Sequence, residues 1–461
     1  MKIKKITEKE KLELVNRQES HFFDKKAKEI EGKKIQKIAV AFANADGGDF
    51  IVGIKDDKDE KDPSKRWEGA NNMEYFNKVF QNILEIRPTI PCTSTFLLDT
   101  QTNTYVLLIT VEKSDKVHCT SDNTVYIRVS AQSQPYKDPQ KIQELSYAKG
   151  ESSFEDLVFK DATAEDIFES SEMKRFLNDY SPQSDPIDFT VNQNLVDRLS
   201  YEPKIAGLLL FNDNPVTLLP RKCGIKITRY ETSEKIPERI HLKDQVSIEG
   251  SLYEQIHRAS ASVSNIMSNV KIWSSKKLVN VKYPPETVWE ILVNAVIHRD
   301  YSISDDIHIL IFNNRIEVIS PGRLPGYVTL NNILEARYSR NSKIVRTLNR
   351  YKDPPNKDMG EGLNTAFQKM KEWRLKEPTI NLEGNYVKVI ISHTPLATPE
   401  EAVIEYLESN SVITNKIARE LSGVKSENVM KRIFYKLRER GLIDPVMGKT
   451  GKTIVSWTKK V

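Results

Sequence analysis

Residues 285–322 have the sequence PETVWEILVNAVIHRDYSISDDIHILIFNNRIEVISPG. The first half predicts a helix, because proline is well tolerated in the first helical turn and the residues that follow are almost all apolar. Against this background Glu290, Asn294 and His298 stand four residues apart and form one polar stripe. Buried polar groups are costly without hydrogen-bond partners. The stripe therefore faces either neighbouring strands or a ligand.

The second half of the stretch predicts a β-hairpin that ends in a glycine turn. Strands are expected at residues 307–312 and 315–320, joined by Asn313 and Asn314, and Gly322 follows the second strand. A helix that carries Glu and Asn beside such a sheet resembles the GHKL ATPase fold. In that family the Glu positions a water, the Asn holds Mg²⁺ and the glycine turn lets the backbone approach the nucleotide. The resemblance implies these roles for Glu290, Asn294 and Gly322.

Further motifs of the same family follow in the expected order. Arg340 and Asn341 come next, and residues 359–363 have the sequence MGEGL. Together they resemble the helicase-C-terminal-type ATP-binding domain of bacterial transcriptional regulators, over about residues 283–393. This resemblance implies ATP as a ligand, weak ATPase activity as an option, and Gly360 and Gly362 as a second turn that contacts phosphate.

The chain departs from the family at one position. Most members carry an Asp just before the first glycine turn, where it binds the adenine amino group, but this chain has Ser320 and Pro321 there. Proline has no N–H to donate, and a serine hydroxyl is a weaker reader of adenine. Two outcomes follow: a working site with an altered base preference, or a fold that has lost its nucleotide.

Length, charge and cysteine usage limit the class of protein. The chain has 461 residues, enough for two to four domains. Its net charge of +5 permits nucleic acid as a partner. Its three cysteines form no CxxC pair, which argues against a disulfide framework or a zinc site. The N-terminus is too charged for a signal peptide and no apolar run approaches membrane-spanning length, so we expect a soluble cytoplasmic protein without a membrane segment.

The first 150 residues predict an α/β domain. Helices are expected at residues 34–43 and 74–85, and strands at 50–54, 94–98, 105–111 and 125–129. Glu19, Asp24 and Lys26, the string AFANADGG at residues 41–48, and a strand followed by Asp56 resemble the Schlafen AlbA-type domain over about residues 19–145. Some members of that family cleave structured RNA, including tRNA, and many bacterial members are described only as DNA-binding.

Glu19, Asp24 and Asp56 are the acids that the resemblance places in one site, with Asp57 as the alternative third acid. Three carboxylates suit a hard cation such as Mg²⁺ or Mn²⁺, and such a cation polarises a phosphoryl oxygen and activates water. Lys26 would balance the charge of the phosphate. The alternative is a set of solvated charges without catalysis.

The remaining segments predict a scaffold and a nucleic-acid-binding tail. Residues 151–282 are expected to form a scaffold or dimerisation segment of a homo-oligomer, with strands at 206–211 and 225–230 and a helix at 251–270. Residues 397–461 predict a winged helix whose third helix buries Val429, Ile433 and Leu437. The residues expected to contact RNA or DNA lie on its other face: Lys425, Asn428, Arg432 and Lys436. Winged helices also serve as protein-binding modules.

The sequence thus predicts a mixed α/β protein with an AlbA-type domain (1–150), a scaffold (151–282), a GHKL-like α/β sandwich (283–395) and a winged helix (397–461). Our leading hypothesis is a nucleotide-responsive effector whose N-terminal domain is a metal-dependent endoribonuclease in stress or antiphage defence. The rival is an ATP-binding transcriptional regulator without nuclease activity.

Overall fold

The computed structural model describes residues 2–274, 277–281, 283–356, 362–373, 375–393, 399–422, 424, 426–448 and 454–460. The fold is mixed α/β, as the sequence predicts. The chain divides into two compact units, Met1–Met370 with Glu377–Ile391, and Lys371–Lys376 with Ser392–Val461. Each unit is described by itself.

The N-terminal part of the larger unit is built on a five-stranded sheet with the order β1-β4-β5-β3-β2. Strands β1 and β4, and strands β2 and β3, pair in parallel, whereas β5 pairs antiparallel with both β3 and β4. A separate antiparallel pair, β6–β7, contacts helix α2. The elements are β1 (Lys2–Ile6), α1 (Glu8–Asn16), β2 (Phe23–Lys26), α2 (Gly32–Asn44), β3 (Gly48–Val52), α3 (Asn77–Leu84), β4 (Cys92–Asp99), β5 (Thr104–Val111), β6 (Val125–Val129), β7 (Gln132–Tyr136) and α4 (Pro139–Lys149).

Helix α2 fills the core of this part and ends at a glycine turn. Its apolar side chains are buried against the sheet, including Ile38 and Phe42. Gly47 lies in the turn with a φ of +79°, and a Cβ there would stand 2.8 Å from the carbonyl oxygen of Val111. Glycine is therefore required by both the backbone conformation and the close approach of strand β5.

The central part is a six-stranded sheet with the order β14-β15-β13-β12-β8-β9. Helix α10 contacts β8, helix α11 contacts β13, and the two helices contact each other. The elements are α5 (Glu165–Phe168), α6 (Ser171–Tyr180), α7 (Pro186–Asn192), α8 (Ile205–Phe211), α9 (Pro215–Leu218), β8 (Ile225–Tyr230), β9 (Leu242–Ile248), α10 (Leu252–Ser268), β10 (Lys271–Ser274), β11 (Lys277–Asn280), α11 (Pro285–Ile297), β12 (Ile307–Ile311), β13 (Arg315–Pro321), α12 (Ser342–Leu348), α13 (Gly362–Glu372), β14 (Thr379–Glu383) and β15 (Tyr386–Ser392).

Strands β8 and β9 belong to the same sheet as β12 to β15. Strand β8, from the predicted scaffold segment, pairs in parallel with β12 of the predicted ATP-binding domain. Helix α11 and the β12–β13 hairpin form where the sequence predicts them.

Residues 206–211 form part of helix α8, so the predicted strand is wrong. All seven residues of α8 are buried. Gly207 packs so closely that a Cβ would stand 2.7 Å from the carbonyl oxygen of Leu195. A short run that is apolar on every side has no periodicity to distinguish a helix from a strand, so its buried surroundings decided the outcome.

The smaller unit has three helices followed by an antiparallel pair of strands. They are α14 (Pro399–Ser409), α15 (Asn415–Ser422), α16 (Glu427–Glu439), β16 (Ile443–Met447) and β17 (Ile454–Lys459). Its core includes Val403, Leu407 and Phe434, and Phe434 stacks on Trp457 with ring centroids 5.1 Å apart.

Candidate nucleotide pocket and N-terminal acidic site

A cavity of about 1050 Å³ lies beside helix α11 in the larger unit. The predicted stripe faces it, since Glu290, Asn294 and His298 all line the wall. The amide nitrogen of Asn294 donates to the carbonyl oxygen of Glu290 at 2.7 Å. This bond fixes the amide, so its oxygen is the atom that Asn294 can offer to a ligand.

Gly362, the first residue of α13, meets the stripe at the cavity wall. A Cβ at this position would overlap a carboxylate oxygen of Glu290 and would stand 3.5 Å from the amide nitrogen of Asn294. The structure thus brings together three of the predicted ligand-binding residues at the start of a helix, where anions are favoured. Gly360 lies outside the described residues.

Gly322 also lines the cavity, but its closest neighbours belong to the protein. Its φ is +113°, and a Cβ would stand 2.7 Å from Cβ of Asp300 and overlap the guanidinium of Arg340. The buried Ser320 hydroxyl donates to the carbonyl oxygen of Ala295 at 2.8 Å. This bond uses the hydroxyl proton and leaves the oxygen of Ser320 as an acceptor at the cavity wall.

His298 is the polar residue of the stripe that was not assigned a role from the sequence. The ring is half-buried, and no hydrogen bond to either nitrogen is found within the described part of the chain; Nδ1 is buried without a partner. Burial and the nearby Arg340 lower the pKa of His298 to about 4, so the imidazole is neutral at pH 7. Ser339 contributes a second unpaired buried oxygen at the same wall.

The predicted acidic site lies on and beside strand β2. Asp24 and Lys26 are two residues apart and point to the same side of the strand. Lys26 pairs with Asp24 and with Glu19, whose carboxylate is 2.8 Å away. The other oxygen of the buried Asp24 accepts from Arg128 at 2.7 Å. Burial disfavours the charge of Lys26, but the two carboxylates outweigh it and raise the pKa of Lys26.

The predicted third acid does not join this cluster. The Asp56 side chain accepts from the backbone N–H of Asp57 at 2.7 Å. Asp57 instead binds Lys25 at 2.8 Å and Arg66 at 2.9 Å. Throughout the described ranges, no three His, Cys, Asp or Glu side chains are grouped so that they could hold a metal ion. The structure therefore gathers Glu19, Asp24 and Lys26, and places Asp56 apart.

Two family models match the chain. Residues 19–137 match the family described as "Schlafen, AlbA_2". Residues 304–391 match the family described as "Putative ATP-dependent DNA helicase recG C-terminal". The chain joins a Schlafen AlbA-type domain to an ATPase-like domain. These two matches connect it with nucleic acid and with ATP binding. Glu290, Asn294 and His298 precede the second matched range, whereas Gly322 and Gly362 lie within it.

Other comparisons add little. A solved structure, the DIP2311 protein from Corynebacterium diphtheriae, is 18% identical and covers 98% of this chain and 82% of its own, with a TM-score of 0.42. A likeness at this level supports no argument. Comparison with curated proteins gives no significant match. No helix among the residues that the structure describes is long and apolar enough to cross a membrane.

The AlbA-type domain contacts the wall of the ATPase-like cavity through Asp46 of the AFANADGG string. Its carboxylate binds Arg323 at 3.0 Å and His21 at 2.9 Å, with Lys113 at 3.9 Å. Burial opposes ionisation, but the hydrogen bond from His21 and the charges of Arg323 and Lys113 lower the pKa of Asp46 to about 2. In the sequence, this string carries the resemblance to the AlbA-type domain. Nothing in the local pattern indicates a partner 277 residues away.

Lysines of the AlbA-type domain extend this junction. Lys113 donates to the carbonyl oxygens of Leu324 at 2.9 Å and Val328 at 3.0 Å, and both of these residues line the cavity. The hydroxyl of Tyr338, another wall residue, donates to the carbonyl oxygen of Lys149 at 3.1 Å. Burial lowers the pKa of Lys113 to about 8 and that of Lys149 to about 7. One segment of the cavity wall is thus also the contact surface of the AlbA-type domain.

In the smaller unit, helix α16 is rotated relative to the prediction. Its buried side chains are Met430, Phe434 and Leu437, whereas Val429 is exposed and Ile433 is partly buried. Helical spacing predicts the stripe Val429, Ile433 and Leu437. Met430 and Phe434 are spaced equally regularly, and they are the residues that pack in the core.

The predicted nucleic-acid contacts of α16 are accessible. Asn428, Arg432 and Lys436 are exposed. Lys436 pairs with Glu400 at 3.1 Å. Lys425 lies outside the described residues.

Proposed function

We propose that this protein is a nucleotide-responsive effector that acts on nucleic acid. The ATPase-like domain binds ATP, and the AlbA-type domain acts on RNA according to the occupancy of that pocket. The proposal rests on one observation. Residues that line the cavity of the ATPase-like domain also bind Asp46 and Lys113 of the AlbA-type domain.

The pocket supports ATP as the ligand. Asn294 offers a neutral oxygen and Glu290 a carboxylate, a donor set that suits Mg²⁺ carried on a nucleotide. Gly362 adds the N–H groups of a helix start on the same side. Mg²⁺ would be held by Asn294 and would neutralise phosphate charge. Glu290 would orient a water for hydrolysis.

Glu19, Asp24 and Lys26 support an action of the AlbA-type domain on phosphate. Lys26 lies between two carboxylates in a partly exposed position, and its raised pKa keeps it charged. The present arrangement does not fit a divalent cation, because Lys26 and Arg128 occupy the carboxylate of Asp24 and Asp56 caps its own loop. RNA cleavage is therefore to be measured both with and without Mg²⁺ or Mn²⁺. A role in defence stays a prediction.

The test is incubation of the full chain with tRNA, with and without ATP, Mg²⁺ and Mn²⁺. We expect cleavage that changes with ATP and is lost in Glu19→Gln. Glu29→Gln, an exposed acid of the same domain, is the matched control. Intact tRNA under every condition would exclude the ribonuclease.

A transcriptional regulator is the second candidate. The exposed Asn428, Arg432 and Lys436 on α16 favour it, since a helix with exposed basic groups can enter a major groove. Selection from a random double-stranded DNA library separates the two candidates. Enrichment of one sequence motif, together with intact tRNA, would support the regulator.

A further inference from the structure

His298 lines the cavity beside α11 and has no role in either candidate function. His298 lies at the C-terminal end of the stripe, about 6 Å along the helix axis from Asn294. Its ring lines the cavity, and the part of the chain that the structure describes supplies no hydrogen bond to either nitrogen. Since the buried Nδ1 has no partner and the ring is half-buried, the imidazole retains hydrogen-bonding capacity that a ligand in the cavity can use.

The position of His298 separates it from the phosphate end of the cavity. Glu290, Asn294 and Gly362 cluster at one end. The rest of the wall combines apolar side chains, Val318 and Leu324 among them, with polar ones that include Ser320 and Ser339. Apolar side chains with a few polar groups among them suit an aromatic base.

We propose that His298 contacts the base of the bound nucleotide and that the pocket accepts both adenine and guanine. This inference rests on the proposed ATP site. A neutral imidazole carries one donor and one acceptor, and its two tautomers exchange these roles. It can therefore accept from the amino group of adenine or donate to the carbonyl oxygen of guanine. A carboxylate only accepts, so in the same position it would repel the carbonyl oxygen of guanine.

Several polar groups near Gly322 already have partners within the protein, whereas the Ser339 hydroxyl, like Nδ1 of His298, has none in the described ranges. The Ser320 hydroxyl donates to the carbonyl oxygen of Ala295. Asp300 accepts from the Ser302 hydroxyl and faces Arg340, and Arg340 donates to backbone carbonyl oxygens. These polar groups near Gly322 are engaged within the protein. Arg340 also opposes protonation of His298, which keeps the imidazole able to accept as well as donate.

The experiment is calorimetry of the full chain with Mg²⁺ and three probes: ATP, GTP and tripolyphosphate. We expect ATP and GTP to bind within about tenfold of each other. His298→Leu should weaken both by on the order of tenfold, a free-energy difference typical of one hydrogen bond, and should leave tripolyphosphate binding unchanged. His298→Gln, which keeps a polar group, should recover part of the loss. His241→Gln, at a histidine outside the cavity wall, is the control.

Each outcome decides a different point. Equal ATP binding by wild type and folded His298→Leu, or binding of ATP without GTP, would overturn the role of His298 while leaving the ATP site intact. Equal loss of ATP and tripolyphosphate would place the imidazole at the phosphate end and also overturn it. Absence of ATP binding in wild type would overturn the proposed function together with this inference.

Labelling of wild-type protein with diethyl pyrocarbonate provides a second measurement if the variants fail to fold. ATP and GTP should protect His298 from modification, and tripolyphosphate should not. The other histidines, of seven in the chain, serve as internal controls. Equal modification of His298 with and without ATP, under conditions where calorimetry shows binding, would reject the contact.

Discussion

The acidic site on β2 and the cavity beside α11 both collect polar side chains, but they satisfy them differently. At β2 the chain supplies its own counter-charges: Arg128 and Lys26 hold Asp24, and Lys26 also holds Glu19. At the cavity, His298 and the Ser339 hydroxyl have buried polar atoms without partners in the described ranges.

We infer from this difference that the cavity is the site that a ligand completes. A carboxylate that is neutralised by arginine and lysine is already stable in the protein, whereas an unpaired buried polar atom is stabilised when a ligand arrives. We therefore expect removal of the arginine that pairs with the buried Asp24 to act mainly on folding and substitutions in the cavity to act mainly on binding. Four predictions test this comparison, in order of expected effect.

The largest effect is expected from Arg128→Ala. Arg128 is buried and also donates to the carbonyl oxygens of Ser20 at 2.8 Å and Phe23 at 3.2 Å. Its removal leaves the buried Asp24 without its arginine, which should lower the free energy of unfolding by about 3–5 kcal/mol. Urea denaturation measures this loss. Lys9→Ala, which breaks an exposed pair with Glu13, should cost less than about 1 kcal/mol. A loss below 1 kcal/mol for Arg128→Ala would show that Lys26 alone neutralises the site.

Asp46→Asn should have a smaller and pH-dependent effect. The pKa of Asp46 is lowered to about 2 from an ordinary value of 3.8, so its ionised form stabilises the fold above pH 4, and this contribution is lost as the pH falls towards 2. The lowered pKa corresponds to about 2 kcal/mol at pH 7.

Unfolding of wild type and Asp46→Asn should be compared between pH 7 and pH 3. The difference should be largest at pH 7 and should shrink below pH 4. If the junction transmits nucleotide occupancy, the same variant should also lose the effect of ATP on RNA cleavage or binding. A difference that does not change with pH would mean that the charge of Asp46 is not what stabilises the junction.

Asn294→Ala should change binding more than folding. In the part of the chain that the structure describes, its amide nitrogen donates to Glu290 of the same helix, so we expect the free energy of unfolding to change by less than about 1 kcal/mol. ATP affinity should fall by about tenfold or more, since a ligand oxygen for Mg²⁺ is lost. Calorimetry with Mg²⁺ and ATP is the measurement, and the exposed Asn265→Ala is the control. A stability loss of about 1–3 kcal/mol in a protein that binds no nucleotide would make the stripe structural.

The smallest effect is expected in the smaller unit. Replacing Arg432 and Lys436 by alanine should weaken nucleic-acid binding. It should also reduce the slope of log affinity against log salt concentration by the equivalent of about two phosphate contacts. The pair between Lys436 and Glu400 should make the lysine contribute less than the arginine. Binding titrations at several salt concentrations measure the slope, with Lys459→Ala as the control. An unchanged slope would favour a protein-binding role.

The sequence by itself determined the elements with strong local signals. Pro285 and the apolar run after it specify α11, and the alternation around Asn313 and Asn314 specifies the β12–β13 hairpin. The spacing of four residues also places Glu290, Asn294 and His298 on one face, because helical geometry fixes that relation regardless of the rest of the chain.

Only the tertiary structure decided the features that depend on what surrounds a segment. Residues 206–211 became part of a helix because a fully apolar run satisfies either structure once it is buried. The core, rather than spacing, chose Phe434 over Val429 on α16. Asp46 and Arg323 are 277 residues apart, and no local pattern predicts their pairing. Ion pairs between residues that are distant in sequence form only when the chain folds. The sequence therefore identifies the candidate side chains but does not show which of them are paired with each other.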